Sequence, residues 1–310
     1  LASVALVTAC GMTSATATDA ATGSTSISTA VRQASVGASA SDVLSANADT
    51  SEATAVASDA DKTGAYDASA ATTITASGGS AEVSGSDAGN VTVDGGTVTI
   101  TGSGTYVVSG TLDGQVVVNA DKADVRLVLA GASITNTGGP AIDIQDAGSA
   151  VMVLAEGTTN TLADGSAYAD TSEDAATAAL FSSDTLTITG TGSLNVTGSY
   201  NDGISSKNGL VITGEPTITV DAVDDGVRGK DYLLVSGGTL TITAGGDGLK
   251  SDEDNDETKG FVALGAATVS VVSGDDGVSA ATDMTVDGTT LSITASGGQS
   301  SADVSAEQGP

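Results

Sequence analysis

The chain has 310 residues, 39% of them apolar, with 41 glycines, 39 acidic side chains against nine basic ones, and no histidine. A formal charge of -30 repels nucleic acid and anionic membrane surfaces, and the lack of histidine removes imidazole acid–base chemistry and histidine-ligated zinc. With no Trp, five Tyr and two Phe, the core has to be built in thin layers of Val, Ile, Leu and Ala, and the wealth of Gly, Thr, Ser and Asp points to short strands and turns.

Residues 1–10 end on the single cysteine, within Leu6-Val7-Thr8-Ala9-Cys10-Gly11. Small and apolar residues before a cysteine read as the remnant of a lipoprotein signal peptide with a lipobox. The basic start of such a signal is missing, so the sequence reads as N-terminally truncated. Lipidation of Cys10 would place the protein outside the cell as a surface lipoprotein, and this anchor is its only expected membrane attachment. Residues 11–70 are Ala, Ser, Thr and Asp with few bulky apolar side chains, too little to offset the entropy of ordering, and read as a flexible linker. The last residues, 301–310, read as a disordered tail.

Between these, residues 71–300 carry short alternating runs such as Thr97-Val98-Thr99-Ile100 and Thr185-Leu186-Thr187-Ile188, separated by Gly- or Asp-rich turns. A period organises them. Ile218 and Val220 recur 22 residues later as Leu240 and Ile242; Val269 and Val271 follow after 29; Leu291 and Ile293 follow after a further 22. Removing the seven-residue acidic insertion Asp252 to Thr258 turns the 29 back into 22. Leu194 and Val196 precede Ile218 and Val220 by 24. This pattern predicts an all-β fold, a single-stranded parallel β-helix (solenoid) with about 22 residues per coil. Antiparallel sandwiches predict no such constant offset.

Stacking converts short acidic turns into a surface. The offsets put Asp202, Asp225, Asp247 and Asp276 in one column, with Asp224 and Asp275 beside it. Two carboxylates ~5 Å apart repel by roughly 3 kcal/mol at an effective dielectric of ~20. Intervening cations, protonation or splaying into water would relieve that cost, and oxygen-only clusters suit Ca²⁺. The insertion, with Asp252, Asp254 and Asp256 alternating, is either a further calcium loop or a solvated acidic turn. The glycine after each Asp is expected to be the turn residue that lets the coil bend.

Lys207, Arg228, Lys230, Lys250 and Lys259 fall in the same stretch. They either balance the Asp column or, with metal, hold a carboxylated or hydroxyl-rich polymer along the coils. Tyr200 and Tyr232 flank the acidic turns as candidate sugar-stacking residues.

Gly102-Ser103-Gly104-Thr105-Tyr106-Val107-Val108-Ser109-Gly110-Thr111-Leu112, Tyr200-Asn201-Asp202-Gly203-Ile204-Ser205-Ser206-Lys207, Asp224 to Lys230 and Gly246-Asp247-Gly248-Leu249-Lys250-Ser251-Asp252 together resemble the bacterial cell-surface carbohydrate-binding, calcium-binding parallel β-helix proteins, whose shape is pectate-lyase-like. The resemblance implies a non-catalytic, calcium-dependent binder of plant cell-wall polysaccharide, with polygalacturonate and other acidic sugars as ligands and cellulose as an open alternative. It implies the acidic turn positions as calcium ligands, and a monomer is expected. The sequence departs from that pattern at Ser296-Gly297-Gly298-Gln299, where the Asp-Gly turn is missing, so the column is expected to end at Asp276.

Two other functions compete. A pectate-lyase-like enzyme would use Ca²⁺ and a Lys or Arg base, with Arg228, Lys230 or Lys250 in that role. An ice-binding or structural role would use Thr rows such as Thr217/Thr219 and Thr239/Thr241, but from the sequence these rows read as too short and Thr is a favoured outward strand residue.

Overall fold

The computed structural model describes residues 64–172 and 175–296. Cys10, the linker up to residue 63 and the 301–310 tail lie outside the described residues. The described chain is all-β apart from one 3₁₀ turn at Ala88–Asn90, and its strands form two sheets paired almost throughout in parallel. This is the arrangement of a β-helix or solenoid. Among the described residues, no helix is long and apolar enough to cross a membrane.

One turn of chain illustrates the construction. Ser193–Gly198 is followed by Asp202–Ser206 on a second wall and Gly209–Ile212 on a third; Thr217–Ala222 then returns to pair in parallel with Ser193–Gly198. The nine-stranded sheet makes the second wall alone. The first and third walls belong to the 16-stranded sheet, which turns the corner through the long strand Asp124–Asn136: its first half pairs with Ser149–Leu154 and its second with Thr159–Asp164.

Alternation decides which side chains face in. In Thr217–Ala222 and Thr239–Ala244, Ile218, Val220, Leu240 and Ile242 are buried while the Thr residues between them are exposed. Paired residues are 22 apart from Thr217 to Thr239 and from Thr268 to Thr290, 24 from Ser193 to Thr217, 29 from Thr239 to Thr268, and 34 from Thr159 to Ser193. The interval therefore stretches wherever a loop is inserted, while the inward ladder stays in phase. Each fully buried Ile or Leu on such a ladder contributes about 1.5–3 kcal/mol.

At the N-terminal end the parallel order gives way to hairpins, Thr72–Gly78 with Ser80–Ser84 and Val91–Asp94 with Thr97–Ile100. They cover the first coil, as solenoids require at their ends. Tyr106 fills this region; it is fully buried, and its hydroxyl donates to the carbonyls of Gly102 and Ser103, so the Gly-Ser-Gly turn before it satisfies its polar end.

Two outward rows differ in chemistry. On the nine-stranded wall, Asp143, Phe181, Ser205, Arg228, Lys250 and Ser279 align across successive strands. On the first wall, Ser77, Thr111 and Ser133 align and lead into Thr161. That row continues through Asn195, Thr219, Thr241, Ser270 and Ser292 without a charge.

Candidate functional site

The Asp column forms at the corner where the first wall turns into the second. Backbone bonds hold its rungs in register: Gly203 N–H donates to Asp225 O, Gly226 N–H to Asp247 O, and Gly248 N–H to Asp276 O, at 2.8–3.0 Å. The carboxylates extend this ladder. Asp247 N–H donates to Asp225 Oδ1 at 2.9 Å, and Asp276 N–H donates to Asp247 Oδ1 at 3.0 Å. Lys250 then bridges their other oxygens, 2.9 Å from Asp225 Oδ2 and 3.0 Å from Asp247 Oδ2. Two backbone donors and one ammonium thus offset part of the expected repulsion.

The glycines of the Asp-Gly turns serve a different purpose from the one expected. Gly203, Gly226, Gly248 and Gly277 do not have positive φ. Their need is space: a Cβ on Gly226 would collide with Ile242 Cγ2 and lie 2.7 Å from Gly248 O, and equivalent collisions await at Gly203 and Gly248. The corner is a close approach of backbone to core, and bending is not what excludes a side chain. Gly226→Ala is therefore expected to lower stability by about 2 kcal/mol through overpacking, measured by urea unfolding; an unchanged midpoint would contradict the packing account.

At the upper end of the column, Asp202, Asp224 and Asp225 bring one carboxylate oxygen each to within 4.8 Å of one another, the one such acidic group among the described residues. The neighbouring coil leaves room for them: a Cβ on Gly246 would collide with Asp224 Oδ1 and lie 2.8 Å from Asp225 Oδ1. Asp202 is only 2% exposed. Burial first, then the charges of Asp225 and Asp224, push its carboxyl up to about 7 against the opposing pull of Arg228. Burial and the Asp225 charge also raise Asp224. The donor set is all oxygen, concentrated and short of positive charge, which fits a hard divalent cation such as Ca²⁺. Each carboxylate oxygen already engaged by an N–H or by Lys250 retains further acceptor capacity.

The remaining acidic positions are not gathered there. Asp275 and Asp276 lie at the far end of the column; burial and the charges of Asp247 and Asp275 raise Asp276. Asp252 is taken by Arg228, whose Nη2 and Nε lie 2.9 and 3.1 Å from Oδ2. Asp254 and Asp256 are exposed, and their Oδ1 atoms accept bonds from Asn255 and Thr258 of their own loop.

The cations are likewise committed. Besides Arg228 and Lys250, Lys230 pairs with Glu253 at 3.0 Å and Lys259 with Asp231 at 2.9 Å. Burial opposes the charge on Lys250, but bonds to Asp225 and Asp247 raise its pKa overall. Lys207 stands 5.8 Å above the centre of the Phe181 ring.

The two tyrosines part company. Tyr232 is buried, stacked on Phe261 at 5.5 Å and lying over Gly209, so it is not available to a sugar ring in this arrangement. Tyr200 is partly exposed and stacks on Tyr168, with centroids 4.1 Å apart and planes at 15°. Tyr168 was not foreseen; it sits in the loop that stretches one interval to 34, and its hydroxyl donates to Asp164 at 2.8 Å. That long interval was the signal that could have drawn attention to it. Asp164, which also accepts from Ser199 N–H, is raised chiefly by burial. The pair thus forms a fixed aromatic ledge next to Asn201-Asp202, with one ring partly open to solvent.

Comparison with known proteins places this geometry. Residues 94–309 match the family model described as carbohydrate-binding domain-containing protein. A protein of that description from Acetivibrio thermocellus is 41% identical over 123 residues, 38% of this chain and 43% of the relative, so the chain matches under half of that relative's length. Among solved structures, a polysaccharide lyase-like protein from C. thermocellum, determined as a gadolinium derivative, superposes with a TM-score of 0.63 at 32% identity, covering 72% of this chain and 94% of that one. The match over residues 94–309 extends along most of the solenoid and includes the whole Asp column, and the chain belongs to the carbohydrate-binding domain-containing protein family.

Proposed function

We propose that this protein binds acidic polysaccharide of the plant cell wall, polygalacturonate in the first instance, through Ca²⁺ held by Asp202, Asp224 and Asp225, and does not cleave it. The observation that carries this reading is the convergence of those three carboxylates within 4.8 Å, beside the Tyr200 ledge. A chain of charge -30 repels a polyuronate unless cations intervene. Ca²⁺ supplies positive charge and open coordination positions that a uronate carboxylate can fill. Asp202, Asp224 and Asp225 would hold the ion, and Tyr200, partly exposed beside them, would offer one ring face to a pyranose.

The commitments of the basic residues favour binding over lysis. A general base has to be deprotonated near the working pH. Lys250 is held protonated by two carboxylates, and Arg228 and Lys230 are engaged by Asp252 and Glu253. The 22-residue interval is read as the basic coil, the chain as a monomer, and Cys10 as the anchor that displays it on the cell surface.

Pull-down on immobilised polygalacturonate tests this directly. Binding is expected in calcium and lost in EDTA, with no growth in the ultraviolet absorbance of unsaturated products. Retention without metal would sink the bridging role, and sustained product formation would overturn the non-catalytic one.

A further inference from the structure

The corner that carries the Asp column continues toward the N-terminal hairpins and opens there into a polar cavity of about 380 Å³, lined by Thr97, Asp113, Gln115, Thr135, Asn136 and Thr137 with glycine at its turns. That volume falls within the ~300–1,000 Å³ of sites that take a small ligand. Register fixes its place. Asp113 and Thr135 begin a row that passes through Ala163 and Thr197 to Asp221, on the strand just before Asp224 and Asp225. On the second wall, Gln115 and Asp202 open strands that stand three steps apart, about 14 Å at ~4.8 Å per strand. The tyrosine ledge lies between them: Ala169 N–H, next to Tyr168, donates to Gly138 O at 2.9 Å, beside Thr137 of the cavity rim. Hydrogen bonds set the floor. Asn136 Nδ2 donates to Pro140 O at 2.8 Å and to Gln115 Oε1 at 3.2 Å, its Oδ1 accepts from Gly138 N–H at 3.1 Å, and Gln115 Nε2 reaches Thr97 Oγ1 at 3.4 Å. Asn136 is therefore a positioning residue, whereas Gln115 keeps one N–H and one lone pair for a ligand. Asp113 and Thr135 are exposed at the rim. A Cβ on Gly114 would collide with Gly96 O, so the turn admits no side chain that could fill the space.

We propose that this cavity is a second, metal-independent subsite that holds an uncharged pyranose unit of the bound polysaccharide. Its lining lies within the stretch that matches the carbohydrate-binding family, and its chemistry suits hydroxyl groups. The Gln115 amide and the threonines both donate and accept, and the Asp113 carboxylate accepts a charge-assisted bond from a sugar hydroxyl. Charge sets the selectivity. Among the described residues no Lys or Arg lines the cavity, so a uronate carboxylate would meet Asp113 without a counter-charge. A single carboxylate also falls short of the six to eight oxygens that Ca²⁺ takes. The unit that fits is therefore neutral, either an unsubstituted sugar or a uronate whose acid is esterified. With the acidic corner read as the calcium site, on which this step rests, one edge of the solenoid sorts the units of a single chain. An acidic unit meets the ion, a ring face meets Tyr200, and a neutral unit enters the cavity about 14 Å from Asp202. The polymer that fills the whole edge carries both acidic and neutral units.

The test titrates two uncharged probes, cellohexaose and fully methyl-esterified hexagalacturonate, into the full chain by calorimetry in EDTA. At least one is expected to bind, and which of them does so separates the unsubstituted sugar from the esterified uronate. Gln115→Ala and Asp113→Ala are each expected to weaken that binding at least tenfold, and Asp254→Asn in the exposed insertion to leave it unchanged. Asp113→Ala, at an exposed position, is expected to keep the wild-type melting temperature, which guards against a Gln115 variant that fails to fold. Because EDTA removes the ion, a failure of the calcium reading shows only in the polygalacturonate pull-down and leaves this titration intact. Binding of neither probe by the wild type would overturn the proposal, as would binding undiminished in either folded cavity variant.

Discussion

In metal-free buffer at pH 8, Asp202→Asn is expected to stabilise the protein by about 4 kcal/mol, from a carboxyl pushed up to about 7 against an ordinary value of 3.8. The sign follows from proton counting. Between pH 4 and 7 the native state keeps a proton on Asp202 that the unfolded chain has released, so stability falls as pH rises across this window and levels off above the native pKa. Asparagine retains the shape and the bond from the Asn201 amide while carrying no charge to desolvate. Wild type and variant should therefore converge near pH 4 and diverge by pH 8 in denaturant titrations. Calcium should narrow the difference without reversing it. At a concentration a hundredfold above its Kd the ion stabilises the wild type by about 2.7 kcal/mol, and the variant gains little. A variant that is less stable than wild type in EDTA at pH 8 would show that the Asp202 carboxylate is stabilised by its surroundings and not strained by them.

Lys250→Met is expected to cost about 3 kcal/mol, a fall of ~6–12 °C in melting temperature for a domain of this size. The substitution leaves the side chains of Asp225 and Asp247, 7% and 9% exposed, facing each other without the ammonium that lies within 3.0 Å of both. Partial exposure of Lys250 itself keeps the cost toward the lower end of what a broken buried pair shows. Coupling separates this from simple loss of packing. Adding Asp225→Asn to Lys250→Met should recover a large part of the loss, because one of the two opposed charges is then gone while the Asp247 N–H still finds an acceptor. Additive effects in the double variant would contradict the bridge.

The sequence made the ladder legible because a solenoid writes its three-dimensional contacts as a one-dimensional offset. Ile218 with Leu240, and Asp225 with Asp247, are neighbours in space for the same reason that they are 22 apart in the chain. The 29-residue interval was equally readable, since the acidic insertion loops out and leaves Thr239 paired with Thr268. Local detail was not written in the offset. Cations, protonation, splaying and balancing Lys and Arg side chains were the reliefs the sequence suggested for the column, but Asp225 and Asp247 also spend one oxygen each on the N–H of the next rung, which no residue-type pattern reveals. The Asp-Gly glycines looked like bends and are instead tight contacts against Ile242 and its equivalents. Tyr232 resembled Tyr200 in its position near an acidic turn, yet the inward corner at Gly209 draws its ring under Phe261. Tyr168 lay in a loop outside the period, where no offset applies.

The account rests on an ion at Asp202, Asp224 and Asp225. Calorimetric titration of Ca²⁺ into EDTA-treated protein measures it most directly. The prediction is saturable binding with a Kd of about 10⁻⁴ M, in the range of extracellular calcium modules, abolished by Asp202→Asn or Asp224→Asn and untouched by Asp254→Asn in the exposed insertion. Absence of binding heat, or binding that survives both corner substitutions and disappears with Asp254→Asn, would contradict it.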